Sequence, residues 1–143
     1  NGFCFTGALE LALACDIVVA AEEARFGDTH AKFGLRPTWG MSQRLPRLIG
    51  IAAARELSYT ARNFTGAEAA AMGMIAKAVP LDELDGAVEE TVGALLANSI
   101  GSLRAYKDLY RESLEQDLAA GLRYEASTEY PIADTAERLT DFR

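Results

Sequence analysis

The spacing of apolar and polar residues divides the chain near residue 80 into two parts of different character. In the first part, short apolar segments alternate between helical and strand-like composition, with Gly or Pro residues between them. Helix formers predict a buried helix from Gly7 to Cys15, and the run from Asp16 to Ala20 predicts a strand buried on both faces. This alternation predicts an α/β fold for residues 1–80.

The remaining elements of the first part are shorter and are separated by turn residues. We expect strands at 2–5, 25–27 and 74–79, and helices at 41–49, 52–58 and 67–72. Pro46 is a difficulty for the interior of its helix, whereas Gly73 is a common helix stop. Pro80 then ends the last predicted strand.

From residue 81 onward the apolar positions recur at helical spacing. Leu84, Val88, Val92 and Leu95 form one stripe. A second stripe runs from Leu103 to Leu114, and Leu118 and Leu122 either extend it or begin a third helix. A last short helix is expected near 133–139, so residues 81–143 are predicted to form a helical region.

Composition and charge narrow the classes of function. The net charge of −7 is concentrated in residues 81–143, which hold six Lys/Arg and fourteen Asp/Glu, whereas residues 1–80 hold eight and seven. An acidic second part argues against a nucleic-acid partner. The apolar run from Gly7 to Ala21 is interrupted by acidic residues and is shorter than the ~20 residues of a membrane span, so no membrane partner is expected.

The cysteine and histidine content argues against a disulfide framework or a zinc motif, and no metal is expected. The chain has only Cys4, Cys15 and His30. We expect both cysteines to be small core residues and the protein to be cytoplasmic.

The chemistry is concentrated where the first predicted helix begins. A helix N-terminus offers unpaired N–H groups, and Gly7 permits close approach of another molecule. Such a site suits an oxygen that gains negative charge. Glu10 lies one turn further on among apolar neighbours, where a carboxylate is either paired or functional. The residues alone favour another interpretation, in which Gly7 is a simple turn and Glu10 is a salt-bridged helix residue.

Several motifs in order resemble the enoyl-CoA hydratase/isomerase (crotonase) family. They are the Gly-rich turn leading to Glu10-Leu11 and Cys15-Asp16, then Ala24-Arg-Phe-Gly27, Gly34-Leu-Arg-Pro-Thr-Trp-Gly40, Ser42-Gln-Arg-Leu45 and the segment 67–80. The resemblance covers residues 1 to about 84, and the helical remainder is similar in length and character only. It implies that residues 1–80 form the later turns of a spiral ββα core and that residues 81–143 form a helical trimerisation region.

The resemblance also implies roles for individual residues. The Gly7 amide would be one of two oxyanion donors to a thioester carbonyl, and Glu10 one of two acid/base carboxylates. His30 stands where the family usually has its second glutamate. His30 could replace it as acid or base, with Asp28 assisting, or could simply line the pocket. Thr6, Pro37 and Trp39 are assigned to the substrate-binding surface, with Trp39 alternatively a packing aromatic.

The function implied is that of a lyase in acyl-CoA metabolism that adds water reversibly to a trans-2-enoyl-CoA. The partner would be an acyl-CoA thioester, no cofactor is expected because coenzyme A is part of the substrate, and the full-length protein would be a trimer or a dimer of trimers. Double-bond isomerisation, thioester hydrolysis and a non-catalytic acyl-CoA-binding role remain alternatives. In the family the second oxyanion amide and most of the CoA-binding surface precede this segment, so the 143-residue chain alone is expected to be inactive.

Overall fold

Short strands and helices alternate in the first part of the protein, and helices follow one another in the second. The computed structural model describes residues 1–141, without the side chain of Asp141. The chain divides into two units, Asn1–Glu89 and the residues from Glu90 onward. The division falls inside a helix, a few residues after the change of pattern that the sequence places near residue 80.

The first unit contains five strands and four short helices before that dividing helix. The strands are β1 (Phe3–Phe5), β2 (Val19–Ala21), β3 (Arg25–Gly27), β4 (Phe64–Thr65) and β5 (Lys77–Val79). The helices are α1 (Gly7–Ala12), α2 (Met41–Ile49), α3 (Ile51–Thr60) and α4 (Gly66–Ala71). Single 3₁₀ turns lie at Ala31–Phe33 and Leu81–Glu83.

Two small sheets hold these elements together. In the first sheet, β3 lies between β1 and β4. Strands β1 and β3 are parallel, with Phe5 opposite Gly27, whereas β3 and β4 are antiparallel. In the other, β2 and β5 are parallel. The β1–β3 pairing brings the turn after Phe5 beside the turn after Gly27, because the carboxyl ends of parallel strands lie at the same edge.

The core of the first unit is built from residues of every strand except β1, together with α1 to α4. Leu9, Leu57 and Phe64 are almost completely buried, and the rings of Phe26 and Phe64 stack with centroids 5.8 Å apart. Leu9 anchors α1 in this core, and its neighbour Glu10 is buried with it. The site described below therefore rests on a packed base rather than on a free loop.

The second unit consists of helices with polar links between them. After α5 (Leu84–Ala97) come α6 (Ile100–Glu115), α7 (Leu118–Ser127) and α8 (Thr135–Asp141). The side chains of Ser99 and Asp117 cap α6 and α7, and the carboxylate of Asp108 accepts hydrogen bonds from the hydroxyls of Tyr124 and Tyr130. None of the helices within residues 1–141 has both the length and the apolar character needed to span a bilayer.

The mixed α/β class predicted from the pattern is confirmed, but several local predictions are wrong. The strand expected at 74–79 begins only at Lys77, and the helix expected to reach Cys15 ends at Ala12. The strand expected at 16–20 begins only at Val19, because the residues after α1 form turns in which Ala14 and Cys15 donate to carbonyls of the helix. Cys15 is consequently exposed rather than a core residue. Cys4 is half-buried against the core, and this burial raises the pKa of its thiol. Pro46 is accommodated inside α2.

Candidate active site

The backbone enters the first helix through a strained residue. Thr6 has φ 52° and ψ −113°, and a positive φ is unusual for a residue other than glycine. Its N–H donates to the carbonyl of Gly27 at 2.9 Å. The hydroxyls of Thr6 and Thr29 are hydrogen-bonded to each other. These two contacts tie the start of α1 to the segment that carries His30.

Gly7 is the first residue of α1, so its N–H has no acceptor within the helix. The indole of Trp39 lies directly over it, since a β-carbon built on Gly7 would be 3.0 Å from Cζ3 of that ring. Trp39 is itself 68% exposed. The predicted oxyanion donor and the predicted pocket aromatic are therefore neighbours, and glycine leaves room for the ring.

Glu10 is buried, with 2% of its surface exposed, and one oxygen of its carboxylate is fixed by the backbone. Its Oε1 accepts hydrogen bonds from the N–H groups of Trp39 at 2.9 Å and Met41 at 3.0 Å. Gly40 between them has φ 114°, which suits glycine and lets consecutive parts of the loop point their N–H groups inward. Arg44 donates to the carbonyl of Trp39 at 2.7 Å and so holds the same loop from outside.

The other oxygen of Glu10 faces His30. Oε2 of Glu10 lies 3.6 Å from Nε2 of His30, and both side chains are at least nine-tenths buried. A water molecule could contact both atoms, since a hydrogen bond of this kind spans ~2.8 Å. Two groups of the kind used in acid–base chemistry therefore lie side by side in the protein.

His30 is held on its other side by Asp28. Oδ1 of Asp28 lies 2.6 Å from Nδ1 of the His30 ring and also accepts from the His30 N–H at 3.3 Å. Oδ2 of Asp28 accepts from the hydroxyl of Ser58 at 2.7 Å. Asp28 is 3% exposed, so its carboxyl group is buried against the His30 N–H, the His30 ring and the Ser58 hydroxyl.

A cavity of about 400 Å³ opens beside this group. Its lining is largely apolar, with Asp28, His30 and Ser58 among the polar residues that border it. Its apolar lining consists of Ala31, Leu35, Pro37, Met41, Leu45, Pro46, Ile51 and Ala54. Neither Glu10 nor Gly7 lines it directly, but His30 and Met41, which both face Glu10, do.

The structure thus brings together Gly7, Glu10, His30 and Trp39 and places Pro37 on the wall of the adjoining cavity. The roles assigned to them, and that assigned to Thr6, stay predictions. The sequence argument missed Ser58 and the two amides that hold Glu10. Ser58 lies in the last turn of α3 without any motif around it, and backbone donors have no signature of their own. Within residues 1–141, no group of three His, Cys, Asp or Glu side chains could hold a metal ion.

Comparison with known proteins places the chain in a family. Residues 1–140 match the profile described as Enoyl-CoA hydratase/isomerase. The chain is similar to a probable peroxisomal enoyl-CoA hydratase 1 of Arabidopsis thaliana, with 41% identity over 87% of this chain and 47% of the relative.

Solved structures agree. An enoyl-CoA hydratase from Bacillus anthracis superposes with a TM-score of 0.92 at 34% identity, covering 99% of this chain and 56% of that one. A protein from Thermobifida fusca described as a putative enoyl-CoA hydratase in complex with CoA gives a TM-score of 0.84 at 32% identity, covering 99% of this chain and 53% of that one. The crotonase-like α/β fold expected from the resemblance is therefore confirmed. The chain spans about half the length of the relatives it matches.

Proposed function

Because this chain belongs to the enoyl-CoA hydratase/isomerase family, we propose that the complete gene product adds water reversibly to the double bond of a trans-2-enoyl-CoA thioester. The observation that carries the proposal is the placement of Glu10 Oε2 3.6 Å from His30 Nε2, with Glu10 one turn after the glycine that opens α1. An acid/base pair beside an oxyanion donor is what addition to a conjugated thioester needs.

The Gly7 amide supplies the electrostatic part of the mechanism. When water attacks Cβ of the enoyl group, the electrons of the C=C bond move to form an enolate, and the thioester oxygen becomes negative. An N–H at the start of a helix stabilises that oxygen through its hydrogen bond and the helix dipole. Trp39 lies over Gly7 and is positioned to border the thioester there.

Glu10 and His30 supply the proton transfers. The pair holds one proton between them at the start, carried on Nε2 of His30 while Glu10 is a carboxylate. Oε2 of Glu10 takes a proton from the attacking water, whose oxygen bonds to Cβ, and His30 delivers its proton to Cα of the enolate. The proton on Glu10 then returns to His30, so that the pair is restored and one H and one OH have been added. The two amides on Oε1 keep Oε2 as the working oxygen.

The cavity beside His30 suits the acyl chain. It has the volume and the apolar lining typical of small-molecule sites, and Pro37 and Leu35 form part of its wall. An acyl chain whose reacting carbons lie beside Oε2 of Glu10 and Nε2 of His30 meets this cavity next. The cavity accounts for the acyl chain and not for the coenzyme A part of the thioester. Because coenzyme A is part of the substrate, we propose no separate cofactor.

The test is steady-state kinetics of the complete gene product on crotonyl-CoA. Glu10→Gln and His30→Gln should each lower kcat by about 10²- to 10⁴-fold, the usual contribution of acid–base catalysis, with the fold retained by circular dichroism. Glu23→Gln is the matched control, because Glu23 is an exposed glutamate in the turn before β3. Wild-type rates in both site variants, or no hydration by the wild-type protein, would contradict the proposal.

A second candidate follows from the histidine itself. Because an imidazole replaces the expected second carboxylate, double-bond isomerisation or thioester hydrolysis by the same oxyanion site is the rival chemistry. A panel of 2-enoyl, 3-enoyl and saturated acyl-CoA thioesters separates the three by product. Preference for a 3-enoyl or saturated substrate by more than tenfold in kcat/KM would favour the rival.

For assembly and location we propose a trimer or a dimer of trimers in the cytoplasm. The helical unit exposes Tyr106, Tyr110 and Leu114 along one helix and Leu118 and Leu122 along the next, which supports burial of these residues between subunits. Light scattering after gel filtration of the complete gene product tests the assembly, and a monomeric mass at micromolar concentration would contradict it.

A further inference from the structure

We infer that Asp28 is a positioning residue that fixes the His30 ring for proton exchange with Glu10, and that Ser58 holds Asp28 in the orientation required. The inference rests on the proposed function for its catalytic consequence. It assigns to the site a chain of contacts that runs from Glu10 through His30 and Asp28 to α3.

Asp28 determines which nitrogen of the His30 ring carries hydrogen. Asp28 Oδ1 accepts the backbone N–H of His30 and lies 2.6 Å from Nδ1 of its ring. A carboxylate oxygen only accepts, so Nδ1 has to carry the hydrogen of that contact. Nε2 is then the nitrogen whose proton can leave and return, and it is the one that faces Glu10 Oε2.

Asp28 also fixes the orientation of the His30 ring. His30 lies at the start of the 3₁₀ turn Ala31–Phe33, and its own carbonyl accepts from Phe33 and Leu35, so its backbone is fixed. The hydrogen bond to Asp28 removes the remaining freedom of ring rotation. Without it, an imidazole beside a 400 Å³ cavity could turn away from Glu10.

Ser58 on α3 holds Asp28 from the other side. Its hydroxyl donates to Oδ2 of Asp28 at 2.7 Å, so the two oxygens of the carboxylate have different and fixed partners. Asp28 and His30 are both less than 10% exposed, and Ser58 is half-buried at the border of the same cavity. A buried polar chain with every member paired is rigid, and loss of one member leaves another without its partner.

The direct test is the protonation pattern of the His30 ring, measured by NMR on the complete gene product with ¹⁵N-labelled histidine. Loss of a signal in His30→Gln assigns it. We expect Nδ1 of wild-type His30 to carry hydrogen whether or not Nε2 also does. In Asp28→Ala, which removes the acceptor, the neutral ring should shift toward hydrogen on Nε2. A neutral wild-type ring with hydrogen on Nε2 only, or no change in Asp28→Ala, would overturn the inference.

Kinetics on crotonyl-CoA provide the second readout. Asp28→Ala should lower kcat on the order of 10²-fold with KM changed less than about threefold, because it misplaces a proton-transfer group and leaves the apolar lining of the cavity unchanged. Ser58→Ala, which deletes one hydrogen bond and is the variant to use should Asp28→Ala fail to fold, should lower kcat about three- to tenfold. Thr60→Ala is its control, since Thr60 is exposed on the same helix and bonds only to nearby backbone.

The two claims fail in different ways. If the ring hydrogen of His30 moves to Nε2 in Asp28→Ala but the wild-type protein hydrates no substrate, the proposed function is wrong and the positioning of His30 stands. Active wild-type protein with wild-type kcat in both Asp28→Ala and Ser58→Ala would sink the positioning role alone.

Discussion

Oε2 of Glu10 lies 3.6 Å from Nε2 of His30, although two strands of the fold separate these residues along the chain. The parallel pairing of β1 with β3 is what brings them together, since α1 follows β1 and the segment with His30 follows β3 at the same edge. The closeness of Glu10 and His30 is therefore a direct product of sheet topology.

The oxyanion donor is tested by Gly7→Ala. The added methyl group would meet the Trp39 ring at 3.0 Å, so the ring or the start of the helix must shift where the thioester oxygen is proposed to bind. We expect kcat/KM on crotonyl-CoA to fall on the order of 10²-fold, as for loss of one oxyanion donor. Gly86→Ala is the control, because a β-carbon there meets nothing within 4 Å. Equal rates in both variants would remove Gly7 from the mechanism.

The acyl cavity is tested by Ala54→Leu. Ala54 is buried on α3 and lines the cavity, so a larger side chain fills part of its volume. The ratio of kcat/KM for an eight-carbon over a four-carbon enoyl-CoA should fall at least tenfold, since lost burial of several CH₂ groups costs about 0.8 kcal/mol each. Ala52→Leu, exposed on the same helix, should leave the ratio unchanged. An unchanged ratio in Ala54→Leu would place the acyl chain elsewhere.

The framework of the first unit depends on a capping box at α4. The Thr65 hydroxyl accepts the Glu68 N–H at 3.1 Å, and the Glu68 carboxylate accepts the Thr65 N–H at 2.7 Å. Thr65→Ala should lower the free energy of unfolding by about 1 kcal/mol, measured by urea denaturation. Thr65→Ser keeps the hydroxyl acceptor, so its free energy of unfolding should fall much less. An equal fall in both variants would show that Thr65 stabilises the fold by packing and not by capping.

The helical unit should lose stability in acid through Asp108. Hydrogen bonds from Tyr124 and Tyr130 hold the pKa of Asp108 below its ordinary value of 3.8. The stability that the Asp108 carboxylate contributes is therefore fully present above pH 3.8, its pKa in the unfolded chain. This stability disappears as the pH falls through the lower pKa of the folded state. Asp108→Asn should make unfolding between pH 5 and pH 2 less steeply pH-dependent, followed by circular dichroism.

The same contacts act in the opposite direction on the phenols. Burial and the Asp108 carboxylate raise the pKa of Tyr130 to about 12. The neutral phenol therefore stabilises the fold below its ordinary pKa of 10.0, and this contribution is lost as the pH rises toward 12. Ultraviolet titration of tyrosinate should show at least one group that ionises late in the wild-type protein and earlier in Asp108→Asn. Identical titration curves would contradict this assignment.

Much of the fold was predictable because the patterns are local. Helical spacing from Leu84 onward and the stop at Gly73 both depend on neighbours within a turn or two, and the structure has helices and a left-handed glycine there. The strand predicted at 16–20 was overextended because β-branched composition does not reveal that the residues after α1 are used in turns. Cys15 is exposed for the same reason.

The site was predictable only in part. The spacing of Gly7 and Glu10 within one helix turn is a local feature and was readable. The contact between Ser58 and Asp28 joins elements that meet only after folding, and no residue near Ser58 marks it. The amides of Trp39 and Met41 that hold Glu10 depend on loop conformation, which Gly40 suggests but does not specify.

The claim that Glu10 and His30 work as one unit is tested most directly by a double-mutant cycle on crotonyl-CoA hydration. Groups that share one proton-transfer step are not additive, so Glu10→Gln/His30→Gln should lose about as much kcat as the worse single variant. A loss in the double variant equal to the product of the two single losses would show that the two side chains act independently and would contradict the account.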